Sequence, residues 1–108
     1  MVMAKQIFRL EQTIEKMASQ QVAQRLADIL VEELAAGRES DGAILLPAHS
    51  QEELARLIGT TRESVSRTLS IWRSAGVITM KGRRIVVLSP DRLRREADSE
   101  GTYSNGHR

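Results

Sequence analysis

The fold of this chain is decided by residues 50–76, SQEELARLIGTTRESVSRTLSIWRSAG. Its first part predicts a short helix, because Ser50 and Glu53 have the spacing of a capping box and Gly59 supplies a helix stop. The apolar positions of this helix share one stripe: Leu54, Leu57 and Ile58. A short helix followed by a tight turn is therefore expected here.

A second helix follows almost at once, with Thr60 or Thr61 able to cap it. Its apolar residues recur at i, i+4 and i+7 and predict a buried face: Val65, Leu69 and Trp72. The opposite face is polar and mostly basic: Arg62, Glu63, Ser66, Arg67 and Arg73. Two helices joined by a short Gly-containing turn, the second basic on its outer face, are typical of a helix-turn-helix. In that motif the second helix, here residues 61–75, is the recognition helix that enters the DNA major groove.

A β-hairpin is predicted directly after the recognition helix, which Gly76 closes. The runs VITM (77–80) and IVVL (85–88) are rich in β-branched residues and flank the turn sequence KGRR (81–84). A hairpin in this position is a wing. Ser89, Pro90 and Asp91 then supply the cap, the first-turn proline and the first-turn acid of a last short helix.

These residues resemble a known family. The runs GTTRESVSRTLSIW (59–72) and AGVITMKGRRIVVL (75–88) are similar to the DNA-binding domain of the Crp/Fnr family of bacterial transcription regulators. The resemblance extends from about Val22 to Arg95, and its most specific part is RESVSR (62–67). It implies a winged helix-turn-helix that binds duplex DNA, with a long preceding helix that forms a dimer interface.

The resemblance also implies which residues contact bases. Residues matching Glu63 and Arg67 do so in the family, the residue matching Arg62 does so in the cyclic-AMP receptor branch, and Ser66 matches a Ser of the Fnr-like branch. The chemistry agrees, since Arg pairs with guanine and a carboxylate accepts from the cytosine amino group. Because the sequence has residues typical of both branches, it does not define the sequence of the DNA half-site.

Phosphate contacts are expected from two further groups of side chains. One lies along the recognition helix: Thr61, Ser64 and Thr68. The other lies at the wing tip: Lys81, Arg83 and Arg84. Such contacts position a protein on the duplex without reading its sequence.

The N-terminal segment, residues 1–18, predicts an amphipathic helix. Its apolar residues repeat with spacings of 3 and 4 and suggest a dimer seam: Ile7, Leu10, Ile14 and Met17. Two heptads make a short coiled coil, so a helix packed on its own domain is the alternative. We favour the dimer seam.

Between this segment and Ser50, a second helix capped by Ser19 is expected over residues 20–36, with Gly37 as its stop. A polar loop at 38–42 and a short strand at 44–46 follow. The predicted organisation is an N-terminal dimerisation helix (1–19), a winged helix-turn-helix domain (20–97) and a disordered tail (98–108). The predicted fold class is mainly α with a small β-hairpin.

Composition excludes several classes of protein. The 108 residues have room for one ordinary domain, and the absence of Cys rules out disulfides, thiol catalysis and zinc fingers. Two isolated His residues predict no metal site, and we expect no cofactor. No apolar run approaches the roughly 20 residues that span a bilayer, so a cytoplasmic location without membrane contact is expected.

The net charge of +2 conceals an uneven distribution. Residues 1–60 carry −3, residues 61–95 carry +7, and residues 96–108 carry −2. A basic block on a folded segment is typical of a protein that binds a polyanion. A solvated basic surface is the alternative, but the block coincides with the helix-turn-helix and the hairpin.

The sequence therefore predicts a transcription regulator that binds a palindromic DNA site as a homodimer. Contact with RNA polymerase is left open. One alternative is a winged helix used only for protein interaction, but such a domain would not need the basic block. Another is binding to double-stranded RNA, but the A-form major groove does not admit a recognition helix. No nucleophile and base can be paired, so an enzyme is not expected. Nothing in the sequence resembles the family's β-roll sensor, so an excised domain or a regulator without its own sensor is expected.

Overall fold

The computed structural model describes the backbone of residues 2–98 and the side chains of residues 9–98. Within that range the chain forms four helices and four short strands. Their bounds are α1 Val2–Glu33, β1 Arg38–Ser40, β2 Ala43–Leu45, α2 Gln51–Ile58, α3 Arg62–Ser74, β3 Ile78–Lys81, β4 Arg84–Val87 and α4 Pro90–Asp98. A 3-10 turn, Leu34–Ala36, follows α1. The predicted fold class, a mainly α winged helix-turn-helix with a small β component, is confirmed.

The N-terminal half of the chain differs from the prediction, because α1 is one continuous helix and does not break at Ser19. Neither Gly nor Pro occurs near Ser19, and adding a residue to an existing helix costs far less than starting a new one. The backbone stays helical along the whole of α1, but the burial of its side chains changes. Residues 9–21 are exposed, whereas Leu26, Ala27 and Leu30 are fully buried.

Residues 38–42, which were expected to be a polar loop, instead form strand β1 and the turn of a hairpin that precedes the helix-turn-helix. Asp41 and Gly42 both have positive φ, 53° and 84°, as a two-residue type I′ turn requires. Asp-Gly is a preferred pair for that turn, so strands β1 and β2 pair antiparallel around it, with Ser40 opposite Ala43. The predicted strand at 44–46 is observed one residue earlier.

The two hairpins form one antiparallel sheet in the order β1-β2-β4-β3. Strand β4 lies between β2 and β3, since Val87 pairs with both Ile44 and Ile78. The wing, β3 with β4, is therefore attached to the rest of the domain along the β2 edge.

The core lies between α1, α2, α3, α4 and one face of this sheet, and it is almost entirely aliphatic. Its fully buried large side chains are Leu26, Leu30, Leu46, Leu54, Val65, Ile78, Val87 and Leu93. Trp72 is also buried, which confirms its predicted place in the core. Helix α4 follows the predicted cap and extends to Asp98. The rest of the predicted tail, residues 99–108, lies outside the described residues.

Candidate nucleic-acid interface

Helices α2 and α3 form the predicted helix-turn-helix, and their ends are fixed by the expected residues. Ser50 and Glu53 make both bonds of the capping box on α2. Gly59 follows α2 in the left-handed region, at φ 73°, and Thr61 caps α3 by accepting a bond from the Ser64 amide. Local sequence therefore sets where the recognition helix begins.

The outer face of α3 brings together the four residues that were predicted to contact bases. Arg62, Glu63, Ser66 and Arg67 line one shallow depression that is open to solvent. Arg62, Glu63 and Arg67 are exposed, and none of their side chains forms a hydrogen bond or ion pair within residues 9–98. These four residues are called the reading face below.

The opposite side of α3 holds the helix on the core. Val65, Leu69 and Trp72 are at most 3% exposed, and the Trp72 indole Nε1 donates to Glu96 Oε1 of α4 at 3.3 Å. Burial of this face leaves little freedom for the helix to rotate. The reading face therefore has a fixed orientation on the domain.

The residues predicted to contact phosphates from α3 are not equivalent. The Thr61 hydroxyl donates to Ser64 Oγ at 3.1 Å, and both residues lie at the exposed first turn of the helix. Thr68, in contrast, is only 8% exposed and donates its hydroxyl to the Ser64 carbonyl at 3.1 Å. Thr68 therefore lies on the buried face of the helix, and this burial argues against the predicted phosphate contact.

The wing carries the three predicted cations in two different settings. Lys81 and Arg83 flank Gly82, whose φ of 65° at the first turn position fits a type II′ turn. Both side chains are exposed and, within residues 9–98, form no hydrogen bond or ion pair. Arg84 is different, because its Nε and Nη2 both donate to the Leu46 carbonyl, at 3.1 and 2.8 Å.

Two more arginines donate to backbone carbonyls at the C-terminal ends of α2 and α3, and sequence reasoning missed both contacts. Arg25 of α1 donates to the carbonyl of Ile58, the last residue of α2, at 3.3 Å. Arg92 of α4 donates to the carbonyl of Ala75, the C-cap of α3, at 2.7 Å. Cations at helix C-termini satisfy unpaired carbonyls and favour the helix dipole.

His49 joins α1 to the start of α2. Its Nε2 contacts Glu33 Oε1, and its Nδ1 lies 3.4 Å from Glu53 Oε1, the capping-box carboxylate. Burial alone would lower the pKa of His49, but the hydrogen bonds and charges of Glu33 and Glu53 outweigh it and raise the pKa above its usual value. A protonated His49 therefore bridges two carboxylates.

Large apolar side chains are exposed at two places on the helices. Leu10, Ile14 and Met17, members of the predicted seam, are 62–65% exposed on α1. The side chain of Ile7 lies outside the described residues. Leu57 of α2 and Ile71 of α3 are also about 60% exposed.

Two negative findings apply to the described part of the chain. Across residues 2–98, no helix has the length and apolar character needed to cross a membrane. In the same range, no three His, Asp or Glu residues are grouped so that they could hold a metal ion.

Comparison with known families gives a match over residues 24–96 to the Crp-like helix-turn-helix domain. The chain belongs to this family. The match contains α2, α3, the wing and most of α4, so the domain described above is the Crp-like domain itself. The predicted resemblance is confirmed.

Individual relatives agree with the family. The chain is 28% identical, over 98 residues, to a CRP-like cAMP-activated global transcriptional regulator of Mycobacterium tuberculosis, strain CDC 1551 / Oshkosh. That alignment covers 89% of the chain but only 44% of the relative. The chain thus spans less than half the length of this curated relative.

Solved structures show the same fold. The catabolite activator protein of Thermus thermophilus superposes with a TM-score of 0.76 at 24% identity, covering 91% of this chain and 44% of that one. A second protein of Thermus thermophilus, a transcriptional regulator of the CRP/FNR family, superposes with a TM-score of 0.64 at 26% identity. This match covers 89% of this chain and 50% of that one.

Proposed function

We propose that this chain is the DNA-binding part of a bacterial transcription regulator and that it reads duplex sequence with the Crp-like recognition helix. The observation that carries the proposal is the reading face. Arg62, Glu63 and Arg67 are charged, exposed and unpaired within residues 9–98, while the other side of α3 is buried. Charged groups left without intramolecular partners on a rigid helix are available to base edges.

The chemistry of the reading face matches a major groove better than a generic polyanion. An Arg can donate two bonds to the O6 and N7 atoms of guanine, and a Glu can accept from the N4 amino group of cytosine. Ser66 can bond to several bases. A face that only attracted phosphates would not gain from Glu63, because its negative charge repels them.

Phosphate contacts would come from the exposed first turn of α3, through Thr61 and Ser64, and from Lys81 and Arg83 at the wing tip. The Mycobacterium tuberculosis relative is named as a global transcriptional regulator. We extend that role to this chain. Two copies would associate through the exposed seam on α1, and the homodimer would bind a palindromic site.

The test is selection of bound duplexes from a random pool, followed by titration of the best site at several salt concentrations. We expect a palindromic motif and an affinity that falls steeply with salt, by roughly 0.9 in log–log slope for each phosphate contact. No enriched motif, together with an affinity that is flat between low and physiological salt, would refute the proposal.

A second candidate is a winged helix that binds proteins. The exposed Leu57 and Ile71 favour it, since apolar side chains on neighbouring helices suit a protein partner. The same selection separates the two candidates, because a protein-interaction module has no reason to discriminate between duplex sequences.

A further inference from the structure

Arg84 is the one wing cation, among the described residues, whose guanidinium group is bonded to the body of the domain. Its Nε and Nη2 donate to the Leu46 carbonyl at 3.1 and 2.8 Å. Lys81, which pairs with Arg84 across the two-residue turn, and Arg83 within the turn have no such bond inside residues 9–98. The side chain of Arg84 is therefore used differently from those beside it.

The position of Leu46 explains why this contact matters. Leu46 is 1% exposed, and its amide donates to the Ile85 carbonyl at 3.0 Å, one residue beyond the end of β2. Pro47 comes next and has no N–H, so it cannot donate the next bond toward β4. Beyond Pro47, residues 48 and 49 lead directly to Ser50, the cap of α2. The fork of Arg84 thus adds one more attachment between the wing and the segment that enters the helix-turn-helix.

We propose that Arg84 is a positioning residue, which holds the wing at a fixed place relative to the recognition helix so that Lys81 and Arg83 can reach phosphates. This inference rests on the proposed function. Strand β2 pairs with β4 only at Val86 and Val87, so the tip of the wing is a two-stranded ribbon, which is only marginally stable on its own. Fixing it before binding lowers the entropy lost when the tip cations engage DNA. A two-pronged guanidinium suits this task better than an ammonium, which donates from a single atom.

Two roles for Arg84 can be distinguished by additivity. If Arg84 contacts a phosphate itself, its loss and the loss of Arg83 should multiply as independent effects. If Arg84 positions the tip, removing it should also remove most of the benefit of Arg83. A double-mutant cycle with Arg83→Ala and Arg84→Ala, measured on one selected duplex, tells these roles apart.

In the parent chain, we expect Arg83→Ala to weaken binding to the duplex. It should also lower the salt slope of binding by about one unit, as loss of one phosphate contact predicts. In the Arg84→Ala background, the same change should weaken binding by less than about twofold, because coupled residues do not add. Arg84→Lys keeps the charge but loses the fork, and it should behave like Arg84→Ala. Independent, multiplying effects, or normal binding by Arg84→Lys, would overturn the proposal.

A second measurement needs no DNA. Backbone ¹⁵N relaxation of the free protein should give order parameters at Gly82 and Arg83 that fall from about 0.85 to below about 0.6 in the Arg84 variants. A wing that stays equally rigid in Arg84→Lys would overturn the proposal, and this variant decides the question if Arg84→Ala does not fold. If the parent chain binds no duplex, the proposed function fails, yet the relaxation data still decide whether Arg84 holds the wing.

Discussion

The arginines of residues 61–95 divide according to what their guanidinium groups contact. Arg84 and Arg92 donate to main-chain carbonyls, so part of their hydrogen-bonding capacity is used inside the domain. Arg62 and Arg67 are exposed and have no partner within residues 9–98. The charge of +7 in this segment therefore combines cations available for reading DNA with cations that also hold the helices and the wing.

Replacing Arg67 with Ala should damage sequence reading specifically. We expect a cost on the order of 1–3 kcal/mol on the best site and a relaxed preference at one base pair, because a bidentate contact is lost. The matched control is Arg73→Ala, which removes the same charge from the last turn of the same helix. It should weaken all duplexes alike and leave the selected motif unchanged.

Both variants should keep the stability of the parent chain, since neither side chain belongs to the buried face of Val65, Leu69 and Trp72. A thermal melt checks this. If folded Arg67→Ala selects the same motif as the parent at every position, α3 does not read the sequence through Arg67.

His49 should make the stability of the domain depend on pH. Its pKa is raised in the folded protein: burial opposes the rise, but the contacts with Glu33 and Glu53 outweigh it. The stabilisation is then complete below the unfolded-state pKa of about 6.5, and it is lost as the pH rises through the folded-state pKa. The melting temperature should therefore decrease between about pH 6 and pH 8 in the parent chain.

His49→Gln is the comparison for this effect, because it keeps a polar side chain of similar size without the titration. Its melting temperature should vary less over the same pH range. Equal pH dependence in both proteins would show that the bridge between α1 and α2 does not contribute to stability.

Sequence reasoning placed the residues of the reading face on one side of α3 but missed the long-range polar contacts, for a physical reason. The positions of Glu63 and Arg67 on one face follow from helix geometry alone, over four residues. The contacts of Arg84 with Leu46 and of His49 with Glu33 join residues 38 and 16 positions apart. Such pairs depend on how the elements pack, which no local pattern encodes.

At the scale of elements, the accuracy of prediction follows how local the controlling interaction is. The capping box of α2 and the cap of α3 involve residues three apart; the capping box was predicted correctly, and Thr61 was one of the two residues expected to cap α3. The break at Ser19 was wrong because a possible cap does not end a helix that nothing else interrupts. Strand β1 was missed because Asp41-Gly42 was treated as loop sequence, although it is a strong hairpin signal.

The capping box offers a direct test at this scale. Ser50→Ala removes the acceptor for the Glu53 amide, at 3.0 Å, and should cost about 1 kcal/mol of folding stability. For a domain of this size, that corresponds to a fall in melting temperature of about 4–8 °C. The control is Ser70→Ala, an exposed position inside α3 where Ala is the better helix former. If Ser50→Ala melts no lower than Ser70→Ala, the box does not stabilise α2.

The described part of the molecule is elongated, with principal extents of 56 × 36 × 24 Å and a radius of gyration of 15.9 Å. A compact domain of about 100 residues has a radius of gyration near 13 Å. Helix α1 accounts for the difference, because residues 9–21 are exposed on every side. Isolated helices of this length are marginal in water, so a partner helix would stabilise the extension.

A second copy of the chain would suit this extension, because Leu10, Ile14 and Met17 have the 3-4 spacing of a coiled-coil seam and are 62–65% exposed. Leu10→Glu should abolish association and cooperative binding to a palindromic site, since it puts like charges on both sides of the seam. Gln12→Glu is the matched control, because it adds the same charge on the opposite side of α1 and should change neither property. Two heptads bury little surface, so we expect a weak dimer that dissociates on dilution in sedimentation experiments. A monomer at high concentration, together with unchanged cooperativity in Leu10→Glu, would show that α1 does not dimerise the chain.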